Sequence, residues 1–453
     1  MGVITLQQAA QWCGGHIDPK YKNVTFLGAN NDTRKLQPGQ LFLALQGARD
    51  GHDFIPAALE QGAAAVLCTH ADGDFPAIVV EDVRLALGMI AKAERQRLNM
   101  KVVAVTGSVG KSTTKEMIYS VLSTTYQADK TPVNHNNDIG MPMALLAMPE
   151  GTEVAVLEMG MNHFREIAYL TDIAKPDVGV IVNIGTMHIE HLGSQEGILQ
   201  AKMEILEGMD KNSSIILNGD DGLLWNYQQL GNVQSLYFGM HNPDSQLYAE
   251  NVMQNEEGLR FTVRYQQEQF PVELMLEGTH FVPDALAAVA VGLQLGVTTE
   301  NIQTGLRSFS NMEGRQEIFS IDGYTIIKDC YNAGPESMAA ALTVLGNKPG
   351  RRVAVLGDML ELGVRTPAEH YKIGRIAAEK ADIVLAYGPN SVRVLYGART
   401  GGMGESKARA FTDRNRLVSV LKQIAKPGDV ILFKGSRGMR MELALERFLQ
   451  KDE

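Results

Sequence analysis

Cysteine is scarce in this chain. Three occur in 453 residues: Cys13, Cys68 and Cys330. They stand far apart and form no metal-ligand spacing. That excludes a disulfide scaffold and a zinc motif, and it implies a reducing, cytoplasmic setting. Positive charge is also short: 42 Lys and Arg face 52 Asp and Glu, a net charge of −10. No basic run breaks the acidic balance, so no nucleic-acid or anionic-membrane surface is expected. An anionic ligand must be met locally, by a lysine, an arginine, a helix end or a metal ion. No apolar run approaches the roughly 20 residues of a membrane helix. The opening residues lack the charged start and long apolar stretch of a signal peptide, so no membrane insertion is expected. Internal repeats, low-complexity linkers and a Gly-x-Gly-x-x-Gly fingerprint are missing too.

What is present is 45% hydrophobic and 21% charged, ordinary for a globular protein. The length suits two to four domains. The most informative stretch is KVVAVTGSVGKSTT, Lys101 to Thr114. A run of β-formers leads into a Gly-rich turn. Met117, Ile118, Val121 and Leu122 then follow at helical spacing. Strand, Gly-rich loop and helix is the context of a phosphate-binding loop. Gly107, Ser108, Val109 and Gly110 would let backbone N–H groups curl around phosphate oxygens. The helix N-terminus adds partial positive charge. Lys111 would reach the outer phosphates, and the hydroxyl of Ser112 or Thr113 would ligate Mg²⁺. The match is to a short form, because Val105 stands where the full signature has glycine. A tight strand–helix turn with a surface lysine is the plainer alternative.

The chain reads as three α/β units. Residues 1–98 form a small one, with helices over 5–13 and 55–61 and strands over 41–45, 64–68 and 77–80. Its loops carry Asp32, Thr33 and Arg34, then Arg49, Asp50 and His52. Two readings stand for them: an anion-binding rim, or solvated turns. Residues 99–311 read as a P-loop mononucleotide-binding domain. Buried strands at 154–157 and 178–184 end in Glu158 and in Gly185-Thr186-Met187-His188. Such strands imply a mostly parallel sheet, whose ligands gather at the carboxyl ends. That would bring Glu158 and His188, both metal-competent, beside the loop. Taken singly, Glu158 reads as a cap and His188 as a satisfied loop histidine. Residues 223–275 alternate polar and apolar, like a β-ribbon insertion or sheet extension, with one strand over 259–272. Residues 312–453 read as a Rossmann-like unit with strands at 325–328, 352–356, 383–386 and 430–433.

Several motifs, in order, resemble the Mur ligases, the ATP-dependent amino-acid ligases of peptidoglycan precursor synthesis. They are Asn134-His135-Asn136-Asn137-Asp138-Ile139-Gly140, Leu157-Glu158-Met159-Gly160-Met161, Asp329-Cys330-Tyr331-Asn332-Ala333, Gly357-Asp358-Met359-Leu360-Glu361-Leu362-Gly363 and Lys434-Gly435-Ser436-Arg437-Gly438. The resemblance covers nearly the whole chain. Within the family the pattern is most similar to the branch that adds D-alanyl-D-alanine to UDP-N-acetylmuramoyl tripeptide. Another amino-acid ligase of the family and a non-catalytic nucleotide-binding paralogue are the alternatives.

The resemblance implies a reaction with ATP and Mg²⁺ through an acyl phosphate, in a monomer. It implies that Lys111 holds the β- and γ-phosphates and that Ser112 or Thr113 and Glu158 hold one Mg²⁺. His188 would bind a second. Lys202 would be carbamylated beside that second metal, although pattern alone makes it an exposed helix lysine. Arg315 would lie near the phosphates, and Asp329 and Asn332 near ribose or phosphate. Lys434, Ser436 and Arg437 would approach the dipeptide or peptide carboxylate; on pattern alone Arg437 is a solvated arginine. Thr33, Arg34, Gly47, Arg49 and His52 resemble the uridine-diphosphate and peptide contacts. Asn134, His135, Asn136 and Asn137 would line the groove for the amino-sugar peptide. Three positions depart from the family pattern. Val109 replaces an Asn of the loop. His280 and Asp284 bracket an adenine-side motif that usually reads His-Asn-x-x-Asn, with Phe281 following His280. Gly334 replaces an Asn, which would loosen its loop.

Overall fold

A strand buried on both faces must be apolar at every position, and Val102 to Val105 meets that condition. Val102 and Ala104 face one core cluster, and Val103 and Val105 face another. The computed structural model, which describes residues 3–255 and 257–450, places this strand, Lys101–Thr106, inside a nine-stranded sheet. On one side of it lies Val154–Glu158, then Ala128–Lys130 at the edge. On the other lie Val178–Ile181, Ser214–Asn218, Gln234–Gly239 and Leu247–Asn255. These seven strands are parallel. Gly258–Tyr265 and Glu268–Leu274 complete the sheet as an antiparallel hairpin. The segment expected as one strand over 259–272 is therefore two, turning at 266–267. The ribbon is a sheet extension.

Register aligns the carboxyl ends. Val105 pairs with Glu158, and Thr106 pairs with Ile181. Glu158 thus ends level with the start of the Gly-rich loop. The following helix, Lys111–Leu122, buries Met117, Ile118, Val121 and Leu122 as its spacing predicts. It packs under helix Val282–Gln294.

Residues beyond 316 build a six-stranded sheet in the order Glu317–Ile321, Tyr324–Asp329, Val430–Lys434, Arg352–Gly357, Ile383–Tyr387, Ala408–Phe411. All its pairs but the first are parallel. Asp329 and Lys434 are register partners at its carboxyl end. The N-terminal unit has a four-stranded parallel sheet: Ala29–Asn30, Leu41–Leu43, Ala65–Cys68, Ala77–Val79. Its inner face shares a core with helices Val83–Leu98 and Gly140–Ala147 and with one face of the central sheet. Among the described residues no helix is long and apolar enough to cross a membrane.

Candidate active site

Gly110 caps the helix that follows the loop, with φ +87°. A Cβ there would lie 2.7 Å from Asp284 Oδ1 and 3.3 Å from Val182 Cγ1. Only glycine fits, and the loop keeps an open cradle of backbone. Asn183 grips that cradle from the neighbouring strand end. Its Oδ1 accepts from the N–H groups of Ser108 (3.1 Å) and Val109 (2.9 Å), and its Nδ2 donates to the Val109 carbonyl (2.8 Å). The loop lacks an Asn at 109, yet a carboxamide clamps it. Sequence reasoning passed over Asn183. Its one signal is a polar side chain directly after a buried strand, where such sheets bind ligands.

Lys111 Nζ folds onto the carbonyls of Gly107 (2.8 Å) and Ser108 (3.3 Å). Burial lowers its pKa, Arg315 adds to that, and Glu158 opposes it. Glu158 is 4% exposed. Burial pushes its carboxyl up, but Lys111, Ser112 and Asn136 outweigh this and hold it below the ordinary value. Asn136 Nδ2 donates to Glu158 Oε1 at 2.8 Å. An ionised carboxylate is thus kept beside the Ser112 hydroxyl.

The six-stranded sheet faces this loop. Arg315 Nη2 donates to Ser112 Oγ (2.9 Å), and its guanidinium lies 4.0 Å from the Tyr331 ring centroid. The Tyr331 hydroxyl meets Asn134 Oδ1. Lys434 Nζ donates to Asp329 Oδ2 (2.6 Å) and to the Asn332 carbonyl (3.1 Å). Between the two sheets lies a cleft of about 530 Å³. Residues 108–113, Asn134, Asn136, Asn137, Glu158, His188, His280, Asp284, Arg315, Asp329, Asn332 and Lys434 all line it.

Other expected residues sit elsewhere. Lys202 is 2% exposed, not the exposed helix lysine its pattern implies. Its helix, Gln195–Met203, packs that side inward with Ile198 and Ala201. Burial, with Lys111 adding, holds its ammonium well below the ordinary range. No carboxylate among the described residues pairs with it. His135 is half-buried and does not line the cleft, and burial lowers its pKa. Ser436 is spent on structure: it donates to the Ala333 carbonyl and accepts from the Leu360 N–H. Arg437, its side chain 70% exposed, pairs with Glu442 outside the cleft.

Thr33, Arg34, Gly47, Arg49 and His52 lie in the N-terminal unit and do not line the cleft. Arg34 makes a bidentate pair with Asp32. His52 Nδ1 lies 2.6 Å from Asp50 Oδ1, and its Nε2 accepts from the Thr69 N–H at 3.1 Å. Both ring nitrogens are occupied, which fixes the proton on Nδ1.

The departures also find local reasons. Phe281 is buried, packed against His280 with ring centroids 4.2 Å apart. Asp284 accepts from Thr114 Oγ1 (2.7 Å), and burial raises its pKa to about 7. Gly334 sits close against the central unit, where a Cβ would meet Met187 Sδ at 2.6 Å.

These residues fit a magnesium nucleotide. The Gly110 cradle is open, and Ser108 Oγ is buried with no hydrogen-bond partner. The hydroxyls of Ser112 and Thr113 and the Glu158 carboxylate are oxygen donors, which Mg²⁺ prefers alongside phosphate oxygens and water.

Comparisons with known proteins agree with this geometry. Three family models match in order: the Mur ligase family catalytic domain over residues 23–95, the Mur ligase middle domain over 105–292, and the Mur ligase glutamate ligase domain over 314–437. The chain is 41% identical over 448 residues to the UDP-N-acetylmuramoyl-tripeptide–D-alanyl-D-alanine ligase of Bacillus subtilis (strain 168), covering 97% of this chain and 96% of that one. A crystal structure of MurF from Acinetobacter baumannii superposes with a TM-score of 0.92 at 32% identity, over 100% of both chains. MurF ligase from Thermotoga maritima in complex with ADP superposes at 0.83 with 30% identity, over 93% of this chain and 97% of that one. The chain therefore belongs to the Mur ligase family.

Proposed function

We propose that this protein is the ATP-dependent ligase that joins D-alanyl-D-alanine to UDP-N-acetylmuramoyl tripeptide, yielding the pentapeptide precursor of peptidoglycan. The observation that carries the reading is the cleft itself: a phosphate loop with Glu158 and Ser112 on one wall, and Asp329, Asn332 and Lys434 on the other. The end-to-end likeness to ligases of that name supports the choice of branch.

The terminal carboxylate of the tripeptide attacks the γ-phosphorus and gives an acyl phosphate. The dipeptide amine attacks its carbonyl carbon, and the tetrahedral intermediate expels phosphate as the amide forms. Charge develops on phosphoryl and carbonyl oxygens, so positioning and electrostatics carry the rate. The loop of residues 107–113 binds the phosphates through the backbone N–H groups that Asn183 leaves free, those of Ser108 and Val109 being held by its side chain, and the Lys111 ammonium meets the phosphates' outer charge. Ser112, Thr113 and Glu158 would hold one Mg²⁺, which supplies neutralisation of the transferring group. His188 would hold a second. Lys202 is buried and unpaired with a lowered pKa, which suits addition of its amine to CO₂, giving a carbamate with loss of a proton. Arg315 reaches the phosphate side, and Asp329 and Asn332 the ribose or phosphate. His280 and Asp284 border the adenine end. Lys434 would serve the peptide carboxylate side from the cleft wall, whereas Ser436, engaged by Ala333 and Leu360, and Arg437, paired with Glu442 outside the cleft, have no such role in this arrangement. Thr33, Arg34, Gly47 and Arg49 would serve the uridine-diphosphate end, with His52 holding Asp50 and Thr69 beside them and Asn134 to Asn137 between.

The three units are 1–98 for the UDP-linked substrate, 99–311 for ATP and 312–453 for closure. The setting we propose is cytoplasmic, which three free thiols support, and the proposed assembly is a monomer. An acceptor panel tests the branch. Phosphate release should need the dipeptide, and single amino acids should not replace it. Lys111→Ala should lower that release at least 100-fold, about the effect of removing one pre-organised electrostatic contact. Preference for a single amino acid would point to another branch of the family.

A further inference from the structure

The segment carrying His188 is held from two sides by the C-terminal sheet's loops. On one side Glu336, in the first turn of helix Pro335–Gly346, accepts from the Thr186 N–H and the Thr186 hydroxyl, both at 3.1 Å. The fit is close: a Cβ at Gly185 would lie 3.1 Å from Glu336 Oε1. On the other side Glu361 Oε2 lies 2.9 Å from His188 Nδ1. Next to it, a Cβ at Gly363 would come within 3.2 Å of Glu190 Cβ. His188 Nδ1 is buried and has no hydrogen-bond partner in good alignment, so the Glu361 carboxylate is what faces it. His188 and Glu361 both hold left-handed backbone, φ +62° and +63°. Non-glycine residues keep that conformation only where the surroundings impose it. Two such residues therefore meet across the join between the central and C-terminal units.

We infer that Glu361 is a positioning residue for His188: it faces Nδ1, leaves Nε2 as the ring nitrogen free for the cleft, and does so only while the C-terminal unit is docked. The inference rests on the proposed role of His188 as a metal ligand. A carboxylate on the far ring nitrogen fixes a ligating histidine's tautomer and raises its basicity. Here that carboxylate comes from another part of the chain. Metal binding and docking are then linked, and each must favour the other. Glu336 holds the backbone of the same segment, so the clasp has two arms.

The test uses the full chain and Mn²⁺ as the probe. Mn²⁺ is titrated by electron paramagnetic resonance in the presence of ADP, for wild type, Glu361→Ala and Glu361→Gln. The wild type is expected to bind two Mn²⁺. Glu361→Ala should weaken the looser one about 10-fold or more. Glu361→Gln, which still accepts from Nδ1–H, should recover most of that loss. Metal-free ADP affinity should stay within about two-fold in both variants, since the loop and Lys111 are untouched. Wild-type Mn²⁺ affinity in Glu361→Ala would overturn the inference. So would an equal loss of metal-free ADP affinity, which would mark a folding role. A wild type that binds a single Mn²⁺ removes the role of His188 and this inference with it, and that result is distinct from a failed Glu361 effect.

Discussion

Asp284 lies between the phosphate loop and the cleft, with one oxygen on Thr114 and only 2.7 Å from where a Cβ at Gly110 would stand. Burial raises its pKa to about 7, while Thr114 and Arg315 pull the other way. The unfolded carboxyl ionises near pH 4. Between about pH 4 and 7 the folded chain therefore keeps a proton that the unfolded chain has released. Stability should fall as pH rises through that window and stay low above it. Asp284→Asn keeps the acceptor for Thr114 and removes the charge. It should be more stable than the parent at pH 8 by about 2–4 kcal/mol and similar to it at pH 4. Denaturant unfolding at the two pH values reads this, and parallel pH slopes for the two proteins would contradict it. Residues of this kind were partly legible. Lys111 and Glu158 stood out because a strand end and a Gly-rich turn announce them locally. Lys202 and Asn183 did not, because a helix pattern cannot say which way a long lysine stem runs, nor which amide a carboxamide will grip.

The strand–loop–helix element from Lys101 to Leu122 is the part of the fold that local chemistry dictates most completely. Its strand is apolar on both faces, its helix repeats apolar residues at the expected spacing, and its turn needs a left-handed residue at 110. Gly110→Ala puts a Cβ into the left-handed region and against Asp284 Oδ1. The backbone alone costs about 1–2 kcal/mol, and the contact adds to it. We expect ADP affinity by calorimetry to fall at least 10-fold, because the loop must shift away from Asp284. An unchanged affinity would mean that the cradle is not the phosphate site. Element boundaries were less legible. The hairpin at Gly258–Leu274 hides its turn in Gln266-Gln267, a pair without the usual glycine or asparagine. The short antiparallel strand Glu317–Ile321 was passed over, since it pairs only with its neighbour.

At the scale of the molecule, the cleft exists only because two sheets direct their carboxyl ends at each other. Tyr331 meets Asn134, Gln316 Nε2 reaches the Glu277 carbonyl, and Lys348 pairs with Glu277 across the join. No local pattern contains these contacts. Family likeness named the residues on both walls, but only tertiary structure reveals that His52 and Ser436 are saturated and that Arg437 points away. The N-terminal join is different again: a core continuous with the central sheet, rather than a cleft. In the function proposed above, this cleft activates a peptide carboxylate by phosphorylation for capture by a dipeptide amine. Its most direct test labels the terminal carboxylate of UDP-N-acetylmuramoyl tripeptide with ¹⁸O and follows phosphate by mass spectrometry, with and without D-alanyl-D-alanine. Dipeptide-dependent phosphate that carries the label is expected. Unlabelled phosphate, or release at the same rate without the dipeptide, would contradict it.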